Sequence, residues 1–426
     1  MIEWFRVTHE ETIRFLLQTT AMLAAGVFFG QLARRFHLPM VIGELCGGIF
    51  LGPTFLGRLA PGFEQWLFPS VGVVAIGREA VVKLGLICFL FVAGLEVNLQ
   101  HVRRHGLAVA FTSVGGILVP FATAALAVWL APSIWKQSLP PSQLCLFLGA
   151  SLAISALPVI ARIILDLGFE RLPLASIVLA SATIDDLLGW SLFASVLATL
   201  APERAATNIP ITIITVIALT VIIATVGRKV IIRARPHARA VVTSAGSQIA
   251  LAGVLVMLLA VLLEWVGVNA VFGAFLAGVA MARPLEERDP NQEILHQFAI
   301  GVLAPMFFVS LGLRVDFISS FDPLLVVVVI AIASAGKIAG ATLGARLGGL
   351  SLPQAAAIGM AMNARGAVEM VLASVALEAK LIDTRLFVAL VTMAVVTSAI
   401  AGPSMFFSLS RAERGISGEI RDDDAR

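Results

Sequence analysis

SATIDDLLGW, residues 181–190, sets two adjacent aspartates, Asp185 and Asp186, in the middle of an apolar stretch that runs over 173–200. A bilayer core about 30 Å thick takes around 20 largely apolar residues per helix, so a stretch of this length reads as a membrane span. A charged side chain at the centre of such a helix costs about 3 kcal/mol or more, so it is retained only with a partner or a job. The pair therefore decides two things together: the segment spans a membrane, and the membrane interior is where the chemistry sits.

Apolar stretches of the same kind recur along almost the whole chain. Of 426 residues, 59% are hydrophobic and 13% charged, and the mean hydropathy is +0.96, whereas soluble domains are roughly 45–50% apolar. The long Ala, Val, Ile, Leu and Gly runs lack period-2 alternation, so the spans are expected to be helices and the class an all-α polytopic membrane protein, not a barrel. The first apolar stretch, beginning near Thr12, is read as a retained span because no cleavable small-residue site follows it. We place thirteen spans at about 12–32, 40–57, 82–99, 106–131, 142–165, 173–200, 209–232, 247–264, 267–282, 296–313, 322–347, 353–378 and 385–410. The division of 247–282 at Glu264–Asn269 is needed because the segment is too long for one span and long enough for two. Residues 1–410 then form one membrane domain, and 411–426 a short cytoplasmic tail.

Basic loops give the orientation independently. With the N-terminus outside and the C-terminus inside, the cytoplasmic face receives Arg34, Arg35, Arg103, Arg104, Arg162, Arg171, the cluster from Arg228 to Arg239, Arg283, Arg288, Arg346 and the tail arginines. An odd number of spans satisfies this. The net charge of +3 reflects these loops and implies no nucleic-acid partner. Cys46, Cys88 and Cys145 lie in apolar stretches and suggest neither a disulfide framework nor a zinc site. No nucleophile–base constellation, resident-metal cluster or phosphate loop is present in the loops, so neither an enzyme nor a cofactor is expected.

A weak internal echo adds organisation. GLEVNL at 94–99 parallels GLRVDF at 312–317, and GIFLG at 48–52 parallels GAFLAG at 273–278. Seven spans separate the copies in each case, so they run in opposite directions, as in the inverted repeats of secondary transporters. The repeats cover about 12–200 and 247–410, with 209–232 as linker.

Adjacent carboxylates in a low dielectric cannot both stay ionised cheaply, so one holds a proton unless a cation replaces it. A site stable with protons or with a cation, but not empty, couples the two movements by competition. Lys337, in SAGKIAGATLGAR (334–346), is the matching deep cation, and a bridge to Asp185 is expected. It reads as a displaceable counter-charge or as a permanent structural bridge, and the two are compatible. Ser151, Ser155 and Pro158 interrupt SLAISALPVIARI (151–163), and Asn363 and Gly366 interrupt GMAMNARGAVEM (359–370). Broken helices at these equivalent positions expose carbonyls and half-helix dipoles to an ion; kinked continuous helices are the alternative. Ser155, Thr183 and Asn363 are the candidate contributors beside the aspartates. Arg365 and Glu369, four apart, are read first as a structural ion pair. Glu44 and Glu96 either line an entry funnel or are bridged, the structural reading being preferred.

At these residues the chain resembles the monovalent cation/proton antiporter superfamily, in its second branch, the sodium/proton exchanger domain of bacterial sodium antiporters and potassium-efflux systems. The resemblance is carried by GELCGGIFLGPTFLG (43–57), FLFVAGLEVNL (89–99), ISALPVIARIILDLG (154–168), Asp185–Asp186, GAFLAGVAMA (273–282), FFVSLGLRVDF (307–317), Lys337 and MNARGAVE (362–369). It covers essentially the whole chain. It implies an inverted-repeat fold with two crossed broken helices, a homodimer with a second copy of the chain as partner, and an elevator-like movement. It also implies that Asp186 is the principal carrier of cation and proton, with Asp185 paired to Lys337 and a sodium site at Asp186 and Asp185. Two acids with a lysine further imply electrogenic exchange, of sodium first and of lithium or potassium next, at a bacterial inner membrane. The Gln-Asp pair and C-terminal nucleotide-binding domain of potassium-efflux members are not matched here. The competing readings are a proton-coupled exporter of a small organic solute on the same scaffold, and a channel or receptor subunit. The few, compact polar groups disfavour the exporter, and the acidic pair with its cross-repeat lysine fits a carrier better than a channel, which needs a continuous polar lining.

Overall fold

The computed structural model describes residues 8–36, 38–97, 106–136, 139–166, 169, 173–200, 209–241, 244–266, 268–282 and 290–423, and among these it contains helices and no strand. Arg103, Arg104, Arg171, Arg283, Arg288 and Arg426, on which the orientation argument leans, lie outside the described residues, as do Asn98 and Leu99 of the first echo.

In chain order the helices are α1 (His9–Arg35), α2 (Met40–Leu51), α3 (Leu56–Leu59), α4 (Pro61–Leu67), α5 (Val73–Leu95), α6 (Gly106–Leu130), α7 (Pro132–Trp135), α8 (Pro141–Ala153), α9 (Leu157–Asp166) and α10 (Pro173–Leu200). They continue with α11 (Ile209–Ile222), a π turn Ile223–Gly227, α12 (Arg228–Val241), α13 (Ala245–Val266), α14 (Ala270–Met281) and α15 (Pro290–Phe298). A second π turn, Ala299–Leu303, leads to α16 (Ala304–Arg314), followed by α17 (Pro323–Leu347), α18 (Leu352–Met362), α19 (Ala367–Glu378) and α20 (Thr384–Asp423).

Among the described residues, nine stretches are long and apolar enough to cross a membrane, and Pro141–Ala153, Ala270–Met281 and Leu352–Met362 are shorter apolar helices. The expected division of 247–282 is present: α13 ends at Val266, and Asn269 starts α14 by accepting the Val271 N–H at 2.9 Å, which satisfies one of the orphan donors of a helix start. The expected fifth and twelfth spans are each two helices separated by extended backbone, not kinked helices. The seventh and tenth pass through π turns, and α20 carries the backbone on to Asp423, so the segment expected as a tail begins as a continuation of that helix.

Two compact units make up the chain. One draws on residues 1–92, 241–255 and 288–321, the other on 93–240, 256–287 and 322–426. In the first unit, α2 lies between α1 and α16 at distances only glycine permits. A side chain at Gly43 would overlap the Phe29 carbonyl, one at Gly48 the Val309 carbonyl, and one at Gly312 the backbone of Gly48 and Ile49. Thr54 ties the same end, donating to the Val315 carbonyl at 3.3 Å and accepting the Phe317 N–H at 3.0 Å.

The second unit is built on the contact of α6 with α17. Gly336, Gly340, Gly344 and Gly348 recur every four residues along α17 and its end, so they share one face, and that face lies on Pro120, Gly115, Phe111 and Ala108 of α6. Small residues at this spacing let helix backbones touch, which matters in a membrane because lipid is as apolar as Leu and association rests on packing. α10 is fastened to α6 by the Ser113 hydroxyl, which donates to the Ser181 carbonyl at 3.2 Å. At Gly189 of α10 there is room only for the Ile154 side chain, so the interruption after α8 packs directly on the helix that carries the aspartates.

The glycine seam yields a direct expectation. Gly344→Ala forces a methyl into the Phe111 carbonyl and is expected to destabilise by about 1–3 kcal/mol, read as a lower thermal midpoint in detergent. Gly253→Ala, in α13 where nothing lies within 4 Å of the added carbon, is expected to leave the midpoint unchanged or raise it, because alanine favours the helix.

Candidate ion site

Both interruptions have local causes in the sequence. Ile154 leaves the helix in extended conformation (φ −80°, ψ 139°), and Leu157 precedes Pro158, whose ring disfavours helix before it and suits the first turn of a new one. In the other segment α18 ends at Met362 and α19 begins after Gly366, which is fully extended. The two interruptions meet: the Ala156 N–H donates to the Ala364 carbonyl at 3.0 Å, and the Ser155 hydroxyl lies 2.9 Å from the Met362 carbonyl. Ile154, Ser155, Ala156, Ala364 and Arg365 are all buried, the condition under which irregular backbone is tolerated at membrane depth.

Ending α8 inside the protein leaves its last carbonyls without helical partners, and two buried cations take them. Lys337 Nζ donates to the Ala153 carbonyl at 2.5 Å, to the Gly116 carbonyl at 2.9 Å and to Asp185 Oδ2 at 2.5 Å, which uses all three N–H groups of the ammonium. Arg365 Nη2 donates to the Leu152 carbonyl at 2.5 Å, and its Nη1 faces the carbonyls of Ser151 at 3.4 Å and Ile154 at 3.2 Å. The same Nη1 lies 3.2 Å from Glu369 Oε2, and Nη2 lies 3.4 Å from the Ala333 carbonyl. The Ser398 hydroxyl donates to the Arg365 carbonyl and holds that backbone in place. Positive charge at a helix C-terminus also meets the favourable end of its dipole.

The aspartates divide their tasks. Asp185 Oδ2 takes Lys337 and lies 3.3 Å from the Ser155 hydroxyl; that hydroxyl has one proton and gives it either to Asp185 or to Met362. The backbone N–H of Leu157, the first residue of α9, faces Asp186, so the Asp186 carboxylate sits at the positive end of the second half-helix. Oδ1 of Asp185, Oδ1 of Asp186 and Oδ1 of Asn363 are buried and have no hydrogen-bond partner among the described residues.

The expected site residues are thus largely gathered. Lys337, Asp185, Asp186 and Ser155 converge, and Asn363 sits in the facing interruption, its amide 3.3 Å from the Ser334 hydroxyl. Thr183 is buried, and its hydroxyl donates back to the Leu179 carbonyl at 2.8 Å. Arg365 and Glu369 pair as expected, but Arg365 precedes α19 instead of lying on it, and its carbonyl contacts outnumber its ion pair. That bracing role is invisible to residue spacing, because the acceptors are backbone atoms of another segment. Glu96 is an electrostatic neighbour of Asp186. Glu44 is buried in the first unit and does not belong to this cluster.

Charge bookkeeping shows what the arrangement can do. The buried ionisable groups described in the second unit are Asp185, Asp186 and Glu369 against Lys337 and Arg365. Lys337 answers Asp185 and Arg365 answers Glu369, which leaves Asp186 as an unmatched acid in a low dielectric. An uncompensated buried charge costs several kcal/mol, so Asp186 is stable with a proton or with a bound cation, and unstable bare. Unpartnered carboxylate and amide oxygens beside half-helix ends are a donor set able to take a small hard cation.

Comparison with known proteins agrees with this geometry. The family model "Sodium/hydrogen exchanger, transmembrane" matches residues 20–411. The chain is 32% identical over 394 residues to the Na(+)/H(+) antiporter NhaS4 of Synechocystis, covering 91% of this chain and 95% of that protein. It is 29% identical to cation/H(+) antiporter 15 of Arabidopsis thaliana over 96% of this chain, and there it spans about half of the relative, 49%. Among solved structures, the sodium proton antiporter MjNhaP1 of Methanocaldococcus jannaschii shares the fold, with a TM-score of 0.59 at 17% identity over 95% of this chain and 97% of that one. With its multi-pass helical architecture, its crossed helix interruptions and this extent of sequence similarity, the chain belongs to the transmembrane sodium/hydrogen exchanger family.

Proposed function

We propose that this chain is a secondary antiporter that exchanges a monovalent cation, sodium first, for protons. The observation that carries the proposal is Asp186: a buried carboxylate without a matching base, held at a half-helix N-terminus with one oxygen uncommitted. Proton and cation compete for that group, and the competition couples their movements. The relative of highest similarity quoted above is named for sodium/proton antiport, which supports sodium as the cation.

In this reading Asp185 and Lys337 form the counter-charge beside the carrier. When a cation enters, Asp185 is free to turn from Lys337 towards it, and the Ala153 and Gly116 carbonyls keep the ammonium in place. Asn363 Oδ1 and the Ser155 hydroxyl supply neutral oxygens. Arg365 holds the end of α8 and Glu369 keeps Arg365 neutralised, which makes both positioning residues. Exchange is electrogenic if more than one proton moves per cation, and each net charge then draws about 2.3 kcal/mol per 100 mV of membrane potential. Alternating access follows an elevator-like movement of the part that carries the aspartates. The working form is a homodimer in a bacterial inner membrane, with the N-terminus outside and the C-terminus in the cytoplasm, as the distribution of basic loops supports. The inverted repeats at 12–200 and 247–410 remain part of this proposal.

Two outcomes test it. In proteoliposomes with an imposed pH gradient, sodium is expected to dissipate the gradient saturably in wild type, and Asp186→Asn to abolish the response while eluting as a folded protein, since the amide mimics the protonated acid. Wild-type exchange by Asp186→Asn would falsify the proposal, and a response to an organic solute but to no cation would replace it with solute export. For the counter-charge, Lys337→Met is expected to cost about 3–5 kcal/mol by stranding Asp185, seen as a lowered thermal midpoint. Asp185→Asn in the same chain should recover much of that loss; no recovery means the two do not act as a pair.

A further inference from the structure

The first unit contains a cavity of about 730 Å³, within the size range of small-molecule sites. It lies where three of that unit's helices end or begin: Pro53 follows α2, Arg78 is in the second turn of α5, and Arg314 closes α16. Helix ends gathered at one level mark the headgroup zone of a bilayer. The surroundings agree. Phe63 and Trp66 of α4 stack at 5.9 Å, the Arg14 guanidinium lies 5.1 Å over the Trp66 ring, and Val71 and Ile76 are 80% and 70% exposed. Aromatic rings and cations arranged this way suit interfacial anchors, and the exposed aliphatic side chains of Val71 and Ile76 suit contact with lipid.

The polar lining is unusual in carrying both signs. Glu79 and Arg314 are joined at 2.8 Å. Arg78, half-buried, makes no hydrogen bond or ion pair among the described residues, although Glu79 and Glu64 are its electrostatic neighbours. Glu64, also half-buried and lining the same cavity, likewise has no side-chain hydrogen bond among the described residues. A guanidinium offers five donors in a planar fork suited to phosphate, and a free carboxylate suits an ammonium. An adjoining cavity of about 380 Å³ shares Ser70, Val71 and Glu79, adds Lys83, and is bordered by the exposed Ile76, which extends the polar site towards apolar surface.

We propose that this cavity seats the headgroup of a zwitterionic aminophospholipid, its phosphate on Arg78 and its ammonium on Glu64, with the acyl chains leaving past Val71 and Ile76. A purely anionic headgroup would satisfy Arg78 but meet Glu64 with like charge, Glu79 being neutralised by Arg314. Such a lipid fixes the geometry between α4, α5 and α16, none of which carries Asp185, Asp186 or Lys337, so binding and exchange are separable.

The test is native mass spectrometry of the delipidated full chain titrated with phosphatidylethanolamine, phosphatidylglycerol or inorganic phosphate. Wild type is expected to retain one phosphatidylethanolamine in preference to phosphatidylglycerol. A charge-assisted hydrogen bond contributes about 1.5–3 kcal/mol, so Arg78→Gln is expected to weaken that adduct by about tenfold or more. Glu64→Gln should remove the preference for phosphatidylethanolamine over phosphatidylglycerol while retaining lipid, a result that does not depend on how well the arginine variant folds. The proposal is overturned by an adduct insensitive to both substitutions, by equal binding of the two lipids to wild type, or by displacement of the lipid by millimolar inorganic phosphate alone.

Discussion

Lys337 sits in the membrane interior with its three N–H groups given to Asp185, to the carbonyl of Gly116 and to the carbonyl of Ala153, and the second unit is organised around meeting that demand. An ammonium without a full set of acceptors cannot be kept at that depth. Supplying them requires α6 to approach α17 closely, and the glycines at 336, 340, 344 and 348 allow it. It also requires α8 to end at Ala153 so that its last carbonyls are available. The interruption of the helix is thus part of the charge's solvation, and the charge in turn satisfies the interrupted helix.

The same economy extends to the opposite sign. α8 presents its C-terminal carbonyls to Lys337 and Arg365, and α9 presents its N-terminal N–H to Asp186. One broken segment therefore stabilises cations at one lip and an anion at the other. The second broken segment crosses it through the Ala156–Ala364 and Ser155–Met362 contacts and brings Asn363 and Arg365 with it. Because the buried bases are fewer than the buried acids among the described residues of this unit, the balance closes only when Asp186 carries a proton or a cation. A transport cycle needs such a group: one with two acceptable occupants and no acceptable bare state.

Much of this was legible in the sequence, and the reason is solvent. In a chain this apolar, a charged residue inside a span stands out, so Asp185, Asp186 and Lys337 could be named and paired without coordinates. The interruptions were readable from Ser155, Pro158, Asn363 and Gly366 because proline and glycine act locally. The stripe of glycines on α17 had a visible four-residue period in SAGKIAGATLGARLGG, yet its meaning lay in the facing helix. What stayed hidden was carried by backbone atoms. Arg365 and Glu369 look like a helical pair at their spacing, whereas Arg365 lies outside the helix and chiefly serves the carbonyls of Ser151, Leu152 and Ile154. The N–H of Leu157 that receives Asp186 is equally absent from any pattern of side chains. Nor could composition show that the short helices α8, α14 and α18 fall below a full membrane crossing.

On the proposed reading, one buried acid, Asp186, holds either a proton or a cation. The most direct measurement is the number of protons released when sodium is added to the purified protein in weakly buffered detergent solution at neutral pH. Because a cation displaces the proton from a shared carboxylate, saturable release of at least one net proton per cation bound is expected, abolished in Asp186→Asn. Saturable sodium binding with no proton release would contradict it.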